Sequence, residues 1–204
     1  MDGRVLERRL TAIGITGLLV FLVAVIAEHI AKPSLDPATH EISEYVHTPL
    51  GWLMTAGFVA WAASLVATGV LVDRWRMRTV SVAMLAAAVG MAITASFATQ
   101  TSAGRLPRGV AWSVAGRLHN FGSGLTTLAL LAAVLLSLRV QQRPKLRRLS
   151  LLLLALALPA DLILLVLGSD VAGIRQRVLV AIGCTWQLCL LKSKTGENHP
   201  SDHR

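Results

Sequence analysis

Six residues able to move protons, donate hydrogen bonds or hold a metal crowd into the eight positions of HEISEYVH: His40, Glu41, Ser43, Glu44, Tyr45 and His47. On a helical period His40, Glu44 and His47 stack at i, i+4 and i+7, with Ser43 adjacent. Two imidazoles and a carboxylate on one face are a zinc-type donor set. The HExxH signature is broken, because Glu44 stands where its second His belongs, and no metal or cofactor is assigned. Ser43 beside Glu44 imitates part of a nucleophile triad, but the chain has no GxSxG elbow. Acid–base chemistry is the stronger option, since a carboxylate near a histidine in a half-buried cleft is the usual setting for it.

The segments on either side decide where such a cleft lies. The chain has 204 residues, of which 54% are hydrophobic and 15% charged, with a mean hydropathy of +0.61. A soluble domain carries about 25% charged residues. Six apolar segments, about 10–31, 50–72, 79–98, 117–138, 149–168 and 174–191, approach the roughly 20 residues a bilayer-spanning helix needs. The expected fold is all-α: a polytopic six-helix bundle over 10–191, with a short N-terminal segment 1–9 and a disordered tail 192–204. Barrel alternation is absent. Arg4, Arg8 and Arg9 precede the first segment as in a signal peptide, but its apolar run is too long for one.

The net charge of +9 follows from topology rather than from nucleic-acid binding, which is excluded as a partner class. With the N-terminus inside, 14 Lys and Arg fall on the inner side and 6 on the outer. The positive-inside rule then puts both termini in the cytoplasm of a plasma-membrane protein. The block RVQQRPKLRR, 139–148, is expected against anionic headgroups, with membrane lipids as the partners. Cys184 and Cys189, five apart on one helix, are not expected to pair.

This topology gathers the remaining polar residues at one depth. Glu28 closes the first span, His119 and Asn120 open the fourth, Asp161 lies about 10 Å inside the fifth, and Arg175, Gln176 and Arg177 open the sixth. Asp36-Pro37 reads as a helix start, which predicts a short amphipathic helix over 37–47 at the outer surface. Charged groups in a membrane usually face a cavity or one another. Either they line one outward-facing polar pocket, or Glu28, Glu44 and Asp161 pair with Arg117, Arg175 and Arg177 and merely tie helix ends together.

Three stretches carry a resemblance. Asp36-Pro37, Ile42-Ser43-Glu44, Trp52-Leu53-Met54 and Gly57-Phe58 form one pattern, His119 a second, and Gly173-x-x-Gln176-Arg177 a third. Together they resemble the bacterial and archaeal integral membrane family catalogued as domain of unknown function 998, over about 15–190. The resemblance implies six membrane helices and no particular reaction. It leaves Ser43, Glu44, His119 and Arg177 as the shared polar set, with Glu28 and Asp161 outside it. The leading expectation is binding or processing of a lipid-like or isoprenoid-like amphiphile. Its ligand contacts would be Glu28, Ser43, Tyr45, Asn120, Gln176 and Arg177, with Glu44 and His119 also at the headgroup. The alternatives are a membrane-embedded acid–base enzyme, a cyclase or hydrolase using Glu44, His119 and Asp161, and a structural subunit of a larger complex.

Overall fold

The computed structural model describes residues 2–140 and 144–195. Six α-helices run in sequence order: α1 Gly3–Ala31, α2 Gly51–Arg74, α3 Arg78–Ser96, α4 Val114–Val140, α5 Pro144–Leu167 and α6 Ala172–Thr195. Short 3-10 segments cover Ile42–His47 and Gly168–Val171. Four stretches, Gly3–Ala31, Gly51–Arg74, Arg78–Ser96 and Val114–Arg139, are long and apolar enough to cross a membrane. The chain is a multi-pass membrane protein by that measure. Its lipid-type surface shows in exposed Val20, Val23, Ile26, Val59, Val89, Leu128, Leu156 and Val166. The helix extends through Thr195, into the segment expected to be a disordered tail; residues 196–204 lie outside the described residues.

Consecutive helices pack side by side from α1 to α4, and α5 packs on α6. Helix α1 buries one seam, Gly14, Leu18, Phe21, Ala24 and Glu28, spaced three or four apart so that they share a face. Glu28 is therefore carried inside by the same periodicity that buries Leu18 and Phe21. Helices α3 and α4 cross at Gly90 and Gly122, where a Cβ on Gly122 would stand 2.6 Å from the Gly90 carbonyl oxygen. Small residues at such crossings let membrane helices approach closely.

Deep in the bundle a neutral polar network replaces charge. Gln187 Oε1 accepts from Trp61 Nε1 at 3.1 Å, and its Nε2 donates to Ser64 Oγ and Thr68 Oγ1, each at 2.9 Å. Ser64 Oγ in turn donates to the Gly14 carbonyl. Helix α6 is thus bonded to α2 and, through α2, to α1. Replacing Gln187 with leucine strands the Trp61 N–H and is expected to cost about 1 kcal/mol, because interhelical hydrogen bonds in membranes are individually modest. Thermal unfolding in detergent checks this, and an unchanged midpoint would show the network to be inert.

The connections 32–50, 97–113 and 168–171 meet at one end of the bundle. His47 Nε2 lies 2.8 Å from the Thr99 carbonyl oxygen, and Arg105 pairs with Asp170 at 2.6 Å. Glu7 and Arg74 pair at 3.7 Å at the other end.

Candidate functional site

The segment expected to be one helix over 37–47 is split in two. Asp36 starts a turn as its position suggests: Oδ1 accepts from the Ala38 N–H at 2.9 Å, and its carbonyl accepts from Thr39 and His40. A continuing helix would then join the Ile42 N–H to the Ala38 carbonyl. Helix α6 takes both groups instead. Ile174 donates to the Ala38 carbonyl at 3.1 Å, and Gln176 Oε1 accepts from the Ile42 N–H. Glu41 becomes extended, with φ −70° and ψ 152°, and a 3-10 turn follows. Ile42, Ser43, Glu44 and Tyr45 are buried rather than lying on the surface. His40, Glu44 and His47 are engaged with separate partners: His40 Nδ1 with the Asp36 carbonyl, Glu44 with the backbone of the 97–113 connection, and His47 with Thr99. Among the described residues no three His, Cys, Asp or Glu side chains are grouped to hold a metal.

Arg177 fastens the same segment. Its Nη1 donates to the carbonyls of Pro37, His40 and Gly173 at 2.7–2.9 Å, and Nε and Nη2 reach His29 Nε2 at 3.1 and 2.8 Å. The His29 ring stacks on Tyr45 with centroids 4.9 Å apart. Tyr45, fully buried, has its hydroxyl 3.3 Å from the Leu35 carbonyl oxygen, and burial raises its phenol above the ordinary value. Gly173 permits this contact, since a Cβ there would collide with the Pro37 and His40 carbonyls.

Glu44 has a structural assignment. Its two carboxylate oxygens accept from the backbone N–H groups of Ala103 and Gly104 at 2.9 and 2.8 Å. Those two residues form the tip of a tight turn, with φ of 50° and 69°, closed by paired Ser102 and Arg105 backbone bonds. Glu28 Oε2 accepts from the Thr48 hydroxyl at 2.9 Å, while its buried Oε1 has no hydrogen-bond partner. Asp161 pairs with Arg175 Nε at 2.6 Å, and Arg117 donates to the Trp112 carbonyl. Of the three carboxylates and three arginines set against each other in the sequence, Asp161 and Arg175 pair, between α5 and α6.

The open space lies beside these contacts. A polar cleft of about 280 Å³ is lined by Glu41, Ser43, Thr101, Trp112, His119 and Asn120, among others. His119 is 2% exposed; Nδ1 lies 2.6 Å from the Phe97 carbonyl oxygen and so carries the proton, and Nε2 is buried without a partner. Glu41 accepts from the Thr101 hydroxyl at 3.4 Å. Burial, followed by the nearby Glu44 carboxylate, raises the Glu41 carboxyl above its ordinary value. A second, apolar cavity of about 70 Å³ is lined by Phe58, Trp61, Met91, Leu130, Val134 and Val180, among others. Ser43 and Ser123 line both spaces.

Ser43, His119 and Asn120 therefore meet at the cleft, and Gln176 lines the apolar cavity. Glu44 and Arg177 form the frame, and neither Tyr45, Glu28 nor Asp161 lines either space. The family model for proteins of unknown function designated DUF998 matches residues 15–192. The chain belongs to the DUF998 family. No curated protein and no solved structure matches it. Within this DUF998 chain the Gly173, Gln176 and Arg177 motif and the Asp36-Pro37 to Glu44 motif are two halves of one contact. Glu41, Thr101, Trp112 and Ser123 complete the cleft although their spacing gave no sign of it. One general signal was present for the loop residues: TQTSAGRLPRGVAW is a long, polar, glycine-bearing connection, and such loops often carry function.

Proposed function

We propose that this DUF998 protein crosses the plasma membrane six times with both termini cytoplasmic, and binds a single-chain amphiphile in a recess opening on the outer side. Helices α5 and α6 have 24 residues each, about 36 Å at 1.5 Å per residue, against a hydrocarbon core of about 30 Å. The 14-to-6 split of Lys and Arg supports the orientation. Arg147 and Arg148, both exposed, then face anionic headgroups on the cytoplasmic side together with the rest of 139–148, of which 141–143 lie outside the described residues. A reporter fused after residue 204 would be active only in the cytoplasm; activity outside overturns the orientation.

The observation that carries the binding reading is that the polar cleft and the apolar cavity share Ser43 and Ser123 as walls. A polar headgroup in the cleft and an apolar chain in the cavity would meet at Ser43 and Ser123. Apolar pockets with a few convergent polar groups are the usual form of small-molecule sites. Native mass spectrometry of the purified protein is expected to show one co-purifying amphiphile, lost when Val180→Trp fills the cavity. Wild-type protein free of any adduct, or equal retention by the variant, sinks the proposal. His119 favours a second reading, in which the bound molecule is also transformed. Its Nε2 lone pair would take a proton and the Glu41 carboxyl would give one. His119→Gln would then keep the adduct and end turnover.

A further inference from the structure

Resting on the amphiphile reading above, we infer that the recess is built for a headgroup that is a primary ammonium, rather than a phosphate or carboxylate. Recognition would come from the Glu41 carboxylate, His119 Nε2 and the hydroxyls of Ser43, Thr101 and Ser123. Among the described residues the cleft lining includes a carboxylate, three hydroxyls and an imidazole able to accept, beside the Asn120 amide and the Trp112 indole, and no Lys or Arg. Four arginines at that end of the bundle are committed elsewhere: Arg177 to loop carbonyls and His29, Arg175 to Asp161, Arg105 to Asp170, and Arg117 to the Trp112 carbonyl. Lys32 and Arg108, in the same connections, are not among the described lining residues, so an anionic headgroup in the cleft would meet the Glu41 side chain with no cation against it.

His119 gives the second, independent reason. Its Nδ1–H is spent on the Phe97 carbonyl, so the buried, unpartnered Nε2 is an acceptor awaiting a donor. A buried polar group without a partner is unfavourable until a ligand supplies one. An ammonium N–H supplies it; phosphate, carboxylate and trimethylammonium groups have no N–H to give. Glu41 points the same way. Its burial and the Glu44 carboxylate beside it disfavour a lone negative charge, and they outweigh the opposing influence of Thr101, Arg175 and Arg177. A bound cation relieves both penalties. Trp112 adds an aromatic wall, and aromatic faces attract cations. The cavity, at about 70 Å³, is smaller than the ~150 Å³ apolar cavities that take up benzene. It fits the end of an unbranched alkyl chain.

The test is isothermal titration of the full-length protein in zwitterionic-lipid nanodiscs, with the heat of empty discs subtracted. Dodecylammonium is expected to bind saturably, at least about tenfold more tightly than dodecyltrimethylammonium or dodecylphosphate, a difference of ~1.4 kcal/mol. Glu41→Gln should weaken dodecylammonium about tenfold and should not weaken dodecylphosphate, whose binding can only gain from the lost negative charge. Val180→Trp, or Leu131→Trp where the first fails to accumulate, should weaken every dodecyl compound. Ethylamine, with the headgroup and no tail, should bind far more weakly. If dodecylphosphate or the trimethyl compound binds as tightly as dodecylammonium, or Glu41→Gln changes nothing, the headgroup assignment is wrong while the amphiphile reading survives. If ethylamine binds as tightly as dodecylammonium, or the cavity-filling variants bind normally, the amphiphile reading itself fails. Absence of binding by any probe overturns both.

Discussion

Arg177→Ala is expected to destabilise the protein by about 2–4 kcal/mol, lowering the unfolding midpoint by roughly 5–12 °C for a chain of this size. The guanidinium satisfies the Pro37 and His40 carbonyls and His29 Nε2 at once. Alanine leaves all three to find water in a crowded junction, and each unsatisfied group costs about 1–3 kcal/mol where burial is complete. The half-buried setting of Arg177 keeps the total below the simple sum. Arg177→Lys should recover less than half of the loss, because a point-like ammonium cannot fork between a ring nitrogen and two carbonyls. The effect reaches the recess, since Ile42 and Ser43 sit on the segment that Arg177 holds and both line the apolar cavity. Limited proteolysis should cut the 32–41 segment faster in the variant. A midpoint within a degree of wild type and an unchanged cleavage pattern would remove Arg177 from its role as the clamp.

The same junction shows why some of the molecule is readable from sequence and some is not. Apolar runs must be helical wherever lipid leaves backbone groups unsatisfied, so α1 to α4 appear near their expected limits. Charge in such a chain is expensive, and that cost singles out Glu28, Glu44, Asp161, His119 and Arg177 together; the family resemblance narrows the shared polar set to Ser43, Glu44, His119 and Arg177. Their partners cannot be read in this way. The local pattern at 37–47 favours a helix, and two hydrogen bonds from α6, more than 130 residues away, override it. Asp161 looked like a cavity residue by its depth, yet Arg175, one α-helical hairpin later, reaches it. Neutral residues are quieter still. Gln187 lies in an apolar stretch and carries no charge, so nothing in its surroundings announces that it joins Trp61, Ser64 and Thr68. Glu41 sits outside the family pattern and beside the more conspicuous Glu44, but it is Glu41 that lines the cleft.

That exchange of roles leads to the sharpest contrast between two variants. Glu44→Gln is expected to cost about 2–3 kcal/mol, whereas Glu41→Gln should leave stability within about 0.5 kcal/mol of wild type. The Glu44 carboxylate gives one oxygen to each of two adjacent N–H groups. Glutamine keeps one acceptor and turns the other into an NH2 donor facing the N–H of Ala103 or Gly104. Ala103 adds to the penalty, because a residue with a Cβ is disfavoured at its φ of 50° unless surrounding contacts hold it there. Without the carboxylate the 102–105 turn loses that support and the cleft loses its Thr101–Gly104 wall. Glu41 has the opposite balance: burial and Glu44 already favour its neutral form, and glutamine supplies a neutral group of similar shape that still accepts from Thr101. An acid–base role for Glu44 makes the reverse forecast, namely lost turnover with an unchanged unfolding midpoint and an intact turn. Thermal unfolding of the two variants, together with proteolysis at 102–105, separates the cases. If Glu44→Gln unfolds with the wild-type midpoint, Glu44 is no latch and returns to the list of reacting groups.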